Sequence, residues 1–532
     1  MQRYSFLLIL LAALAFVGLA NATTPTVPSG IQYYVAVNIT NSQSSATPSP
    51  FQQMINITES SFSNYIAYNK NLANFEYFYA NGTIIPAWIE SNSSGKLITW
   101  VKLTPSIPAN GKLTIYLGFA SKTTNLLSSS GTTGIGEAPQ LSSTYAEYDD
   151  GASVFTNYWN FAGTSVPSGW TTSGTVTINN GLSISGSSAA SQIETTSTYS
   201  TSVLDWYGYA TVPTGSGYWT NLGWYSQSIN NPVQGNGWFT YQGQSDYGYG
   251  YVPSSGPPTI TYTSTPAGSS PNYVFSIAND GTIAHYYLNY TVEPTTYAMQ
   301  TTTNYIAFRN GASSSGGGAN VFVQYARVRA YPPNGVMPSV SFGSVTGPPS
   351  LSLSPNPATY GQSITITATC TPSTDTCAID YPSLGTHIAQ GTGTATYTFN
   401  AFALGAGTYS YFYANDLTAG KNSTKATLTI NQNSTYPFSL TGITTGNLQY
   451  SGINQTATAT IKTYHNQLTA NLWLNNVQVG STNSILTYNA PYDIGSWTLT
   501  FNSLGNANYT ANSVSTSSVS YTHLTLPTIL RV

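Results

Sequence analysis

The stretch "VFVQYARVRAY", residues Val321–Tyr331, carries the pattern on which the fold turns. Its apolar and aromatic residues recur with a period of two. That is the period of a β-strand, whose successive side chains point to opposite faces. The same alternation returns in "KLTIYLGF" (112–119), "SITITATC" (363–370), "GTYSYFYA" (407–414) and "SWTLTFNS" (496–503). Almost no apolar pattern of period 3.6 follows the first twenty residues. Short alternating runs separated by Gly, Pro, Asn and Ser predict an all-β chain.

At 532 residues the chain is too long for one core, and about three to five domains are expected. Charged residues make up 5 % of it, against about a quarter in typical soluble domains. Hydroxyls, amides and 42 tyrosines must therefore solvate the surface. Disorder is set aside, because 40 % of residues are apolar and 13 % aromatic, enough to build cores. A net charge of −3 gives no basic footprint for nucleic acid. With 16 acids and four histidines, few groups can couple stability to pH, and the chain is expected to tolerate acid.

"MQRYSFLLILLAALAFVGLANA" has a charged start, an apolar stretch and an Ala20-Asn21-Ala22 cleavage pattern. Residues 1–22 read as a secretory signal peptide. No later apolar run is long enough to span a bilayer. The protein is thus expected to be secreted or at the cell surface. Residues 522–532, ending "THLTLPTILRV", break the Ser/Thr/Asn texture and read as an atypical, truncated or spurious end. Sequons at Asn38, Asn56, Asn81, Asn92, Asn289, Asn422, Asn433, Asn454 and Asn508 permit glycosylation. Cys370 and Cys377 are expected to form a disulfide in an oxidising compartment.

Loops at 128–143, 343–355 and 431–438 divide the chain. The units are 23–127, 145–345, 349–431 and 436–521. The last two look like one repeat. Gly407-Thr408-Tyr409-Ser410-Tyr411 corresponds to Gly495-Ser496-Trp497-Thr498-Leu499. Their length of about 85–90 residues and their strand density resemble immunoglobulin-like sandwiches, without the inter-sheet cysteine pair.

Residues 31–120 resemble the DUF2341 domain of exported prokaryotic proteins. The resemblance is carried by "FEYFYANGTIIPAWIE" (75–90) and "ITWVKLTPSIPANGKLTIYLGF" (98–119), with Gly82, Pro86, Trp88, Glu90, Trp100, Val101, Lys102 and Gly118 on the pattern. It implies an extracellular β domain and names no chemistry. Residues 145–345 resemble a concanavalin-like jelly roll in "YDDGASVFTNYWNF", "TINNGLSISG" and the closing 321–345. That likeness implies two stacked antiparallel sheets, and many relatives bind sugars while some cleave them. The Asp-Trp that usually precedes the family's Arg-Val-Arg is replaced here by Gln324-Tyr325-Ala326.

A glycosidase needs two carboxylates at a set separation. The Glu-x-Asp-x-x-Glu spacing of jelly-roll glycosidases is absent from 145–345, so no catalytic residues are assigned. Sugar rings stack their C–H faces on aromatic side chains while amides and hydroxyls reach their hydroxyls. The segment 204–251 offers both. Trp206, Trp219, Trp224, Trp238, Tyr247, Tyr249 and Tyr251 are the candidate platform, with Asn221, Gln242 and Asp246 as polar partners. The competing reading places these aromatics in the sandwich core, since alternation turns about half of them inward. Asp149 or Asp150 is expected to pair with Arg327 or Arg329. A calcium site through the two aspartates is the alternative, the one cofactor considered.

The function expected is non-catalytic glycan binding or adhesion, with glycans, cell-surface polymers or other surface proteins as partners. A structural surface or envelope protein is the second reading, and a glycoside hydrolase the third.

Overall fold

The computed structural model describes residues 25–185, 191–214, 219–226, 234–311, 318–491 and 493–522. The signal-peptide reading of 1–22 and nearly all of the atypical tail lie outside the described residues. The chain is all-β, built from sandwiches, and divides into two compact units at Val345/Thr346. No described helix is long and apolar enough to cross a membrane.

The first unit holds two pairs of sheets. In the first pair, a sheet orders strands Ser339–Thr346, Tyr33–Asn41, Gly111–Phe119, Phe75–Phe78 and Ile84–Ile85. Its partner orders Gly136–Glu137, Ala87–Ser93, Lys96–Leu103 and Phe51–Thr58. Val35, Val37, Ile39, Ile55, Ile57 and Ile115 fill the space between. Strand Ser339–Thr346, expected to close the jelly roll, instead lies beside Tyr33–Asn41. Its Phe342 packs on Phe62, 5.3 Å between ring centroids. The 23–127 and 145–345 segments thus interleave within one compact unit.

In the second pair, the larger sheet runs Val176–Ile178, Leu182–Ser185, Asn320–Arg329, Ser202–Ala210, Tyr273–Asn279, Ile283–Leu288 and Thr291–Val292. Strand Asn320–Arg329 lies inside this sheet, between Leu182–Ser185 and Ser202–Ala210. Opposite it stand Trp170–Ser173, Ser191–Thr195, Tyr305–Gly311, Trp219–Tyr225, Gly235–Tyr241, Asp246–Val252 and Thr259–Pro266, antiparallel throughout. The core between these sheets is aromatic. Trp238 meets Phe275 edge-on at 5.2 Å, and Trp206 stacks on Phe275 at 5.5 Å. The indole N–H groups of Trp224 and Trp238 reach across to the carbonyls of Ile277 and Ser276, so both rings are satisfied while fully buried.

The second unit contains two sandwiches with matching strand order. The first pairs the sheet Ser350–Ser354, Ser363–Thr369, Thr394–Asn400 with Ala358–Thr359, Ala426–Asn431, Gly407–Asp416, Thr376–Asp380, His387–Thr392. The second repeats that order with Phe438–Thr441, Gln455–Ile461, Ile485–Ala490 against Gly446–Gln449, Asn512–Tyr521, Gly495–Ser503, Ala470–Leu474, Val477–Thr482. Both set their short strand parallel to its neighbour. One apolar cluster runs through both sandwiches. At their junction Phe402 stacks on Tyr464 at 3.8 Å, and the Tyr360 hydroxyl donates to Gln467 Oε1 at 3.0 Å. Cys370 and Cys377 are disulfide-bonded within the first.

Candidate functional site

The 219–225 strand alternates between the two faces of its sheet. Leu222 and Trp224 enter the aromatic core, as do Trp238 on the next strand and Ile306 and Phe308 on the other side. Trp219, Asn221 and Tyr225 therefore face outward. The neighbours on that face are Phe239 from strand Gly235–Tyr241 and Arg309 from strand Tyr305–Gly311. Asn221 lies opposite both of them in register. Tyr225, Phe239, Val252 and Ala307 form a small buried cluster there, with Trp219 and Ile260 half-buried against it. The ring of Tyr225 lies along the sheet. A Cβ at Gly235 would meet it at 2.3 Å, and one at Gly237 would meet its hydroxyl at 2.2 Å, so side chains at these two positions would displace it.

Among the described residues, several polar atoms of this face form no internal hydrogen bond. Both amide atoms of Asn221, the Tyr225 hydroxyl and Arg309 Nε are buried without a hydrogen bond. The Tyr225 hydroxyl stands beside the Asn221 amide without hydrogen-bond geometry. Leaving a buried polar group unpaired costs about 1–3 kcal/mol. Such a cluster beside a half-buried tryptophan is a place where a polar ligand gains by binding.

The remaining expected platform is core. Trp206, Trp224, Trp238, Tyr247 and Tyr249 are each at most 1 % exposed. The physical reason is the parity of their strands, which turns all five between the sheets. Tyr251 is half-buried and packs on Tyr297 at 5.4 Å. Gln242 sits in the turn after Tyr241, and Asp246 accepts from the Ser245 hydroxyl at 3.3 Å. Of the ten residues expected to bind sugar, Trp219 and Asn221 thus come together on the outer face. Arg309 and Tyr225, which sequence reasoning did not select, join them. The register of 219–225 against 305–311 places them there, and no local spacing reveals it.

The two arginines of the quoted strand have other partners than expected. Arg327 Nε donates to Asp205 Oδ2 at 2.9 Å and its Nη2 to Glu90 Oε2 at 3.2 Å. Arg329 Nε donates to the same Asp205 oxygen at 2.8 Å. Asp205 lies directly opposite Arg327 across the strand pair, whereas the register from the 157–159 strand sets Tyr158 there instead of an aspartate. The Arg327 guanidinium is fully buried. Its carbon lies 4.4 Å from the Phe155 ring centroid and 4.5 Å from that of Trp100. Glu90 also accepts from Trp100, Tyr290 and, at 2.8 Å, Tyr325. Burial alone would push the Asp205 carboxyl up, but Arg329 and Arg327 outweigh it and hold it below the usual range. Residues of the first sheet pair, Trp88, Glu90 and Trp100, thereby grip the last long strand of the larger sheet.

Asp149 faces donors on every side. Trp88 Nε1 and the Gly151 amide donate to Oδ1, and the Tyr158 hydroxyl and Asn160 Nδ2 donate to Oδ2. This fits a carboxylate that holds protein groups, since a cation needs acceptors around it. Among the described residues no three His, Cys, Asp or Glu side chains converge. Burial pushes Asp149 up despite these donors. Burial, with Asp149 adding to it, pushes Asp150 up to about 6.

A carboxyl raised in the fold binds its proton more tightly there than in the unfolded chain. Its contribution is greatest at low pH and is lost as pH rises through about 4 to 6. Asp205, with its lowered value, weakens the fold only below the ordinary aspartate range. The first unit is therefore predicted to melt a few degrees higher at pH 4 than at pH 7. Asp150→Asn should reduce the difference. Scanning calorimetry at the two pH values checks both.

No family model matches the chain. It is 37 % identical over 128 residues to "Uncharacterized protein 562" of Sulfolobus islandicus rod-shaped virus 1. That match covers 23 % of this chain and spans about a fifth (21 %) of the relative. Among solved structures, it is similar to a Bacillus licheniformis β-glucanase at 11 % identity, covering 32 % of this chain and 97 % of that one, with a TM-score of 0.27. The laminarinase catalytic domain of Thermotoga maritima matches at 11 % identity, 33 % and 97 % coverage and a TM-score of 0.28. For an endo-β-1,3-glucanase from Pyrococcus furiosus the values are 14 %, 36 %, 95 % and 0.26.

Proposed function

We propose that the protein is an exported, non-catalytic glycan-binding or adhesion protein. Its site is the outer face of the 219–225 sheet, and the two repeated sandwiches, immunoglobulin-like in this reading, serve as a stalk. The observation that supports it is the group of unpartnered buried polar atoms on Asn221, Tyr225 and Arg309 beside Trp219. Trp219 supplies the stacking surface and the polar atoms meet the sugar hydroxyls. Glu194 and Asp246 lie on strands four places apart in this sheet, about 19 Å at the usual strand spacing. Glycosidase carboxyl pairs stand about 5–9.5 Å apart, so these two do not form one.

The full chain should bind oligosaccharides on a printed panel. Trp219→Ala should weaken binding at least about tenfold with little change in melting temperature. Unchanged binding by that variant would remove the site.

One observation favours the structural surface reading instead. The end of the second sandwich that corresponds to the covered end of the first leaves Tyr450 43 %, Ile453 71 % and Ile494 59 % exposed. Concentration-dependent self-association of the full chain without sugar, read by sedimentation, would support it.

A further inference from the structure

Arg309 is one of 13 basic residues in the chain, and its situation is unlike that of Arg327 and Arg329. It is half-buried on the outer face, with Phe308 on one side and Asn310 on the other both turned inward and buried. Burial lowers its pKa, with Tyr225 and Glu194 acting in the opposite direction. Yet no carboxylate among the described residues lies within ion-pair distance of it, the arginine ion pairs being those of Arg327 and Arg329. Glu194 is held diagonally across the strand pair, opposite Ala307, and Gln192 is directly opposite Arg309. The stretches 186–190, 215–218, 227–233 and 312–317 contain no Asp or Glu, so they bring no carboxylate to the site.

A guanidinium partly withdrawn from water gains from a paired anion. Its planar fork suits carboxylate or sulfate oxygens. The other groups of the face are neutral: the Asn221 amide, the Tyr225 hydroxyl and the Trp219 ring. Glu194 lies on the 191–195 side of Arg309, away from the 219–225 strand that carries Trp219.

We propose that this face takes an anionic glycan, one bearing a carboxylate or sulfate, with Arg309 as the residue that recognises the charge. The inference rests on the glycan-binding reading above and specifies its ligand class. An anion seated on Arg309 brings its sugar ring over Trp219, the diagonal neighbour on the next strand.

The test measures the full chain against a panel of uronate and sulfated oligosaccharides, each beside its carboxyl-reduced or desulfated neutral counterpart, in one buffer of fixed salt. The charged member is expected to bind at least about tenfold tighter, and Arg309→Gln should bring the ratio of charged to neutral affinity close to one. The variant should melt close to the parent temperature, because no carboxylate among the described residues is ion-paired with Arg309. Equal or tighter binding of the neutral members overturns the anionic specificity and leaves the glycan reading standing. Binding of no oligosaccharide overturns both. A ratio that survives Arg309→Gln, or a variant that melts several degrees lower, shows that Arg309 serves another partner and overturns its role.

Discussion

Arg327→Met is expected to destabilise the first unit by about 3–5 kcal/mol, the usual cost of removing one partner from a buried ion pair. The guanidinium is fully buried and bonded to Asp205 and Glu90, which are themselves 0 % and 2 % exposed. Arg329 still neutralises Asp205 after the change. Glu90 keeps hydroxyl and indole donors from Tyr290, Tyr325 and Trp100 but loses its cation. Adding Glu90→Gln should therefore recover part of the loss, and the two changes should be strongly non-additive. Urea unfolding followed by fluorescence reads this well, because all ten tryptophans except Trp473 and Trp497 lie in the first unit. A loss under 1 kcal/mol would mean that the Trp88–Glu90–Trp100 grip on the quoted strand is not a stabilising feature.

Trp238→Ala is expected to cost about 3–5 kcal/mol. Its ring contacts Tyr249, Phe275 and Tyr286, and its N–H bonds the Ser276 carbonyl of the opposite sheet. Removing it opens a cavity at the centre of the core and leaves that carbonyl without its donor. Trp219→Ala, by contrast, uncovers a half-buried position at the edge of a small outer cluster. Equal stability losses in the two variants would erase the distinction between core and outer face on which the site depends.

The alternation of "VFVQYARVRAY" and its counterparts makes the all-β architecture legible without the structure. The repeat of the last two sandwiches is legible too, in the Gly407 and Gly495 segments, and their strand orders match. What alternation does not reveal is which parity faces the core. In "WTNLGWYSQ" the inward set is Thr220, Leu222 and Trp224, and the outward set Trp219, Asn221 and Tyr225. Both sets contain a tryptophan, so composition alone leaves the two faces alike. The ion network was hidden for a different reason. Glu90, Asp205 and Arg327 are far apart in the chain: strand pairing sets Asp205 opposite Arg327, and side-chain packing of one sheet pair on the other brings in Glu90. One signal did exist: an aspartate in the middle of the apolar run "SVLDWYGYA" must find a cation, and arginines were scarce.

The most direct test of the account is where a bound oligosaccharide sits. A crystal structure of the full chain with a panel-selected ligand should show a sugar ring against Trp219, with a polar substituent at Arg309 and the Asn221 amide. A sugar bound elsewhere, with the outer face of the 219–225 sheet empty, would contradict the account.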